Sequence, residues 1–248
     1  MFDNIIEFRS AVEITSSQDN HPIPAKLNIP DWFKKLNHTP MFRTVKGCMP
    51  FLDALTCGYI LKLPQDLYVK HNVMDEEKKL QGSMFSSASP VTPFVLAKSI
   101  NLNLYPNETH PPEQLTGCPY IDKNKNLPFY KIMNPWIIKT PPGYSCLFTS
   151  VLNNEDDRFT PLAGVVDTDV FKNEINFPIV INGDKYPVLE TLLKKGTPYV
   201  QVIPFKRESW KMKISTSTTN EIRKNRIDYA LQMFNIYKNK HWNKKSWR

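Results

Sequence analysis

The sequence predicts a mostly β protein, preceded by an N-terminal extended arm and followed by a C-terminal α-helix. Three observations carry this. Proline outnumbers glycine 21 to 8, and helix-breaking residues spread along a chain favour short strands and turns over long helices. Between residues 136 and 206, short runs rich in β-branched and aromatic side chains alternate with turn residues. A single apolar stripe at helical spacing stands close to the C-terminus. The boundaries fall at 1–40 for the arm, 41–210 for the β-rich domain and 211–248 for the helix and basic tail.

The 248 residues are 41% hydrophobic and 12% aromatic, enough to bury a sizeable core. Fourteen Phe, 10 Tyr and 5 Trp exclude a solvated coil as the main state. No run approaches the roughly 18 apolar residues of a membrane span, so no membrane partner is expected. Asp3, Glu7 and Arg9 stand where a signal peptide needs an apolar stretch, and secretion by that route is not expected. The cysteines (Cys48, Cys57, Cys118, Cys146) form no CxxC pair and the five histidines no HxH or HExxH. Reduced structural thiols and no metal site are the expectation.

In the arm, Pro22, Pro24 and Pro30 hold an extended path, and Asp31–Leu36 makes one helical turn. Trp32, Phe33 and Leu36 are spaced to dock that turn on a surface, most simply the chain's own core. Residues 41–73 read as two or three strands broken by Pro50, Gly58 and Pro64. Asp75–Ser89 reads as a loop or hairpin tip, 93–105 resumes an apolar pattern, and 106–135 reads as a long surface excursion. Strands follow at Trp136–Lys139, Tyr144–Leu152, Ala163–Val166, Ile175–Ile181 and Tyr199–Phe205. Pro187–Gly196 is predicted as a short helix, with proline in its first turn and glycine at its end. The last helix spans about 219–238, capped by Thr218 or Thr219 with Glu221 in its first turn. Its stripe is Ile227, Ala230, Leu231, Phe234 and Tyr237.

The net charge of +8 is unevenly placed. Residues 206–248 hold 12 basic and 3 acidic side chains, whereas 1–205 hold 20 and 21. The body is neutral and the terminal segment basic, which points to an interaction tail. Its candidate residues are Lys238, Lys240, Trp242, Lys244, Lys245, Trp247 and Arg248. The two indoles follow neither a helical nor a strand period, so this tail is expected to order against a partner. Lysines with interleaved tryptophans also suit nucleic acid, by phosphate neutralisation and base stacking.

Three segments in order, Thr140-Pro-Pro-Gly-Tyr-Ser-Cys-Leu-Phe148, Gly164-Val-Val-Asp-Thr-Asp-Val-Phe171 and Gly196-Thr-Pro-Tyr-Val-Gln-Val-Ile203, resemble the β-clip fold of the dUTPase and dCTP deaminase group. The stretch from about Ile29 to Trp210 is also similar to an uncharacterised family of bacteria and marine phages. Its shared marks are Cys48-Met-Pro-Phe51, the Pro-Pro-Gly turn, the Gly164–Asp169 hairpin and Gly196-Thr-Pro198. The first resemblance implies a β-clip (dUTPase-like) core, Asp167 as the general base of a nucleotide hydrolase, and Gln201 as a ligand-binding residue. Magnesium would serve only in that alternative; otherwise no cofactor is expected. The sequence departs from the pattern elsewhere. Val170 stands where an aromatic stacks on the base, with Phe171 one place late, and Val151 and Leu152 stand where an Arg-Ser pair grips phosphate. An ordinary hairpin turn, whose acids cap their own backbone, is the simpler role for Asp167-Thr-Asp169.

The expectation is therefore a non-enzymatic structural or assembly protein of a phage virion. β-clip domains commonly form trimers, and Lys-, Asn- and Ile-rich runs such as KNKNLPFYKIMN suggest an AT-rich genome. The partners expected are further copies of the chain, other virion proteins and nucleic acid at the tail. The location expected is the virion or the host cytoplasm.

Overall fold

The computed structural model describes residues 4–73, 82–87, 94–97, 102–104, 107–153, 156–230 and 234–248. In chain order, β1 (Glu7–Arg9), α1 (Val12–Thr15), β2 (Ile23–Pro24) and α2 (Asp31–Lys35) build the N-terminal segment. Next come α3 (Met49–Thr56), β3 (Tyr59–Lys62) and β4 (Leu67–Asn72). β5 (Gly82–Ser87), β6 (Phe94–Ala97), β7 (Leu102–Leu104) and β8 (Asn107–His110) follow, then α4 (Pro119–Lys123), β9 (Phe129–Ile132) and β10 (Ile137–Lys139). The dense strand region holds β11 (Tyr144–Thr149), β12 (Phe159–Pro161), β13 (Gly164–Val166), β14 (Phe177–Ile181), β15 (Val188–Leu193) and β16 (Pro198–Lys206). α5 (Thr219–Ala230) and a π-helical turn at Tyr237–His241 close the series.

The protein is mostly β, with antiparallel pairing throughout the described strands. One sheet runs β13-β11-β16-β3-β2, a second β12-β14-β9-β8 and a third β15-β4-β5, with β1–β10 and β6–β7 as separate pairs. The rings of Phe148 (β11), Phe177 (β14) and Tyr199 (β16) meet at 5.4 and 5.7 Å between centroids, so the first two sheets share one core. Leu61, Val69, Ile132, Ile138, Ile179 and Leu193 join it from every side. Each full burial of such a side chain contributes roughly 1.5–3 kcal/mol, which is why short strands with few internal bonds hold. Asn124 ties an exit from α4 into this core: its amide nitrogen donates to Leu127 O, and its oxygen accepts from Ile181 N–H.

Residues 4–40 lie along the body. β1 pairs with β10 and β2 with β3, while Ile14, Ala25 and Phe33 are buried. The expected turn at Asp31 is α2, and Phe33 and Trp32 pack on Phe51 of α3. The predicted strands of 136–205 are β10, β11, β13, β14 and β16; β12, read there as a connection, is also a strand.

Three expectations are corrected. Val188–Leu193 is a strand, β15, paired over six residues with β4, and not a helix. Leu189 and Leu193 point inward, and their spacing of four fits a helical face and a strand face equally; the open edge of β4 decided the outcome. The first part of 41–73 is the helix α3, begun by Pro50 in its first turn, a signal that proline at a helix start provides. The 106–135 segment is not a surface excursion throughout, because Phe129, Tyr130 and Ile132 of β9 are core residues. Most of the loop expected at Asp75–Ser89 lies outside the described residues, within which Gly82–Ser87 is β5. All four cysteines are free. Among the described residues, no helix is long and apolar enough to cross a membrane.

Candidate functional site

The turn Pro141-Pro-Gly143 ends on a left-handed glycine, Gly143 at φ +83°, and delivers the chain into β11. The β13 hairpin then brings Asp167 and Asp169 back over that turn. The Asp169 side chain is only 6% exposed and accepts from Gly143 N–H at 2.8 Å. Arg207, just beyond β16, closes the arrangement with both guanidinium nitrogens on the Asp169 carboxylate, Nη1 lying 2.8 Å from Oδ1. This fork of charge-assisted bonds holds the Asp169 carboxyl down to about 2, through Arg207 first and the Gly143 N–H next.

Asp167 belongs to the same cluster. Its Oδ1 accepts from the Ser145 hydroxyl at 2.6 Å and lies 3.2 Å from Arg207. Beneath it the buried hydroxyls of Thr140 and Thr168 share a bond of 2.7 Å. The two hairpin acids therefore hold the Pro-Pro-Gly turn, β11 and the end of β16 together. Val170 and Phe171, which would follow them in a nucleotide site, are exposed to solvent.

Gln201 lies elsewhere. It opposes Thr149 on β11, whereas Asp167 bonds to Ser145, four residues or about 13 Å away along the strand. The Gln201 side chain is 1% exposed. Its Nε2 donates to the carbonyls of Ala54 and Cys57 at 3.0 and 2.7 Å, and its Oε1 accepts from Leu152 N–H at 2.9 Å. The last carbonyls of a helix have no partner within it, and Gln201 supplies one for α3. Gly58 completes that helix end at φ +69°, where a Cβ would meet Val202 O at 2.0 Å. The residues that the dUTPase resemblance singles out are thus separate, and each is occupied by a bond of the framework.

The third cluster is the C-terminal tail. Trp242 Nε1 lies 3.1 Å from both carboxylate oxygens of Asp53 on α3, and Lys245 pairs with the same carboxylate. Trp247 meets the Tyr59 ring edge-on at 6.2 Å, and the Tyr59 hydroxyl donates to Arg248 O. Lys238, Lys240 and Lys244 are exposed. Phe234 stacks on His38 at 4.7 Å, Ile227 is exposed, and Leu231 lies outside the described residues. Sequence reasoning missed Arg207 and Asp53. An arginine immediately after a long strand, opposite an Asp-x-Asp turn, is the signal that could have found the first; nothing in the sequence marks the second.

Among the described residues, no group of three or more His, Cys, Asp or Glu is placed to hold a metal ion. No protein-family model matches the chain, and no curated protein matches it.

Proposed function

We propose that this protein is a non-enzymatic assembly protein with a β-clip core, acting as a homotrimer in a phage virion and related to the bacterial and marine-phage family it resembles. One observation carries the assembly reading. Trp210, Met212 and Ile214 alternate with Lys211 and Lys213, and the three apolar side chains are 87%, 83% and 86% exposed. Single exposed apolar residues are ordinary, but a contiguous row of this size marks an interaction surface. The alternation of apolar and basic side chains is that of a strand with one face to bury.

The burial of Asp169 and Gln201 and their use in framework bonds support the non-enzymatic part. A phosphate needs cationic or N–H donors, and Val151 and Leu152 offer no such side chain. The Lys-, Asn- and Ile-rich composition and the family resemblance support the phage origin.

The test is the mass of the full chain in solution by light scattering over a range of concentrations, with a search for the protein in purified virions by mass spectrometry. A trimer and a virion signal are expected, and a strict monomer absent from particles would refute the reading. Incubation with magnesium and each deoxynucleoside triphosphate is expected to release no pyrophosphate.

A further inference from the structure

We infer that residues 208–248 form an arm exchanged between copies of this chain, the basic tail of one subunit closing on Asp53 and Tyr59 of another. The inference rests on the assembly reading and adds to it the segment, its docking site and its partner, a second copy.

The docking site exists on the chain itself. Asp53 takes the Trp242 indole N–H on both oxygens and the Lys245 ammonium as well. That ammonium also lies 5.9 Å from the centre of the Trp242 ring, so one acid on α3 gathers an indole and a cation that pack on each other. Beside it, Trp247 and Arg248 line a cleft of about 650 Å³ together with Tyr59, Thr140, Tyr144 and Pro204. Tail and site are complementary in charge. The tail has four Lys or Arg among residues 239–248 and no acid, and its site presents a carboxylate, two tyrosines and a proline.

The segment that carries the tail to this site is attached to little. Among the described residues, 209–217 make no main-chain hydrogen bond, and every residue from 207 to 227 is exposed. The exposed run includes α5 up to Ile227. Unpaired backbone flanked by alternating apolar side chains is the form that adds as a strand to an open sheet edge. α5 starts independently of the body, through a reciprocal cap in which the Glu221 carboxylate accepts from Thr218 N–H at 2.8 Å and Thr218 Oγ1 accepts from Glu221 N–H at 3.2 Å.

Any contact that a tail makes with its own body, a second identical body offers too, provided that the connection reaches. Eleven residues, 208–218, span up to about 35–40 Å when extended, and the 12 residues of α5 add about 18 Å. Closed on its own body, the arm leaves Trp210, Met212 and Ile214 in water. Closed on a neighbour, it makes the same Asp53 and Tyr59 contacts and lays that row against a second surface. The difference in buried apolar area favours the exchange.

The experiment uses the full chain with Trp242→p-benzoylphenylalanine, a photo-crosslinking side chain. It is co-assembled with an affinity-tagged, ¹⁵N-labelled native chain, irradiated and mapped by mass spectrometry, with light scattering in parallel. Cross-links from position 242 to peptide 49–57 of the labelled chain are expected. Oligomers that cross-link only within one chain would overturn the exchange and leave the assembly reading standing; a monomer at every concentration would overturn both.

A charge-reversal pair gives an independent readout. Asp53→Lys and Lys245→Asp each place like charges at the clasp. Each alone is expected to raise the dissociation concentration roughly tenfold or more, and mixing the two is expected to recover part of the association, since a ring of three built from two variants restores two of its three clasps. Recovery requires contacts between chains, so folded single variants whose mixture stays as weak as its parts would refute the exchange. Capture of a poly(dT) oligonucleotide with a steep salt dependence, without any interchain cross-link, would overturn it in favour of nucleic acid.

Discussion

The Gln201 side chain lies beneath the end of α3, with its amide nitrogen 2.7 Å from the carbonyl oxygen of Cys57. From the same position it bonds Ala54 and Leu152. One buried amide thus joins the central strand β16, the helix end and the loop after β11. A residue that resembles a nucleotide ligand is here a bolt between three elements.

Gln201→Ala leaves two carbonyls and one N–H without their partner in a dry environment. A buried polar group without a partner costs about 1–3 kcal/mol, so the variant is expected to lose at least about 2 kcal/mol in urea unfolding. An unchanged unfolding midpoint would contradict this role. Gln201→Glu, which keeps the shape but exchanges donors for a charge, is expected to be no better than alanine.

Gly58→Ala tests the neighbouring close approach. The residue combines φ +69° with a Cβ position 2.0 Å from Val202 O, a backbone atom of β16. The strained conformation costs about 1 kcal/mol or more by itself, and the clash must displace the strand besides. A loss exceeding that of an alanine at the open Gly164 is expected from thermal melts of the two variants.

His71, on β4, is fully buried, and burial pushes its imidazole down to about 4. The unfolded chain binds the proton near pH 6.5, so the folded state binds fewer protons between those values. Stability is full above about 6.5 and falls as the pH drops toward 4. His71→Asn is expected to be less stable at pH 7 and to show a flatter profile across that window, measured as melting temperature against pH.

Asp169 acts in a lower window and for the opposite form. Its carboxylate is favoured in the folded state, through Arg207 and Gly143 N–H, with the acid held near 2. Its contribution is present above about pH 4 and is lost as the pH falls through 2. Asp169→Asn and Arg207→Gln are each expected to melt lower than the parent at pH 6, and the gap is expected to close by pH 2. A constant gap would mean that the ion pair is not its source. Asp167→Asn, at the exposed side of the cluster, is expected to change the melting temperature less than either.

The sequence by itself determined β10, β11, β13, β14 and β16, because each of these strands carries its own turn residues and inward side chains. It also determined the helix after Thr218, whose cap is local, and the placement of basic charge beyond Lys206. These features depend on neighbours within a few residues, and such signals survive in the linear order. The Asp-x-Asp hairpin was legible as a turn for the same reason.

What only the tertiary structure decided were the elements whose periods are ambiguous or whose partners are distant. Leu189 and Leu193 satisfy both a helix and a strand, and β15 became a strand because β4 offered six unpaired residues alongside it. α3 lies between strands and buries only Met49 and Leu55, so its helical face is narrow, and its final carbonyls depend on Gln201, some 150 residues later in the chain. Arg207 reaches Asp169 across 38 positions, and Lys245 reaches Asp53 across 192. Nothing local marks Asp53 as the partner of Lys245, and the Asp-x-Asp turn marks Arg207 only once the pairing of the strands is known. Such pairs form only once burial of the core has brought their strands and helices together, and that long-range closure is what the order of residues leaves unspoken.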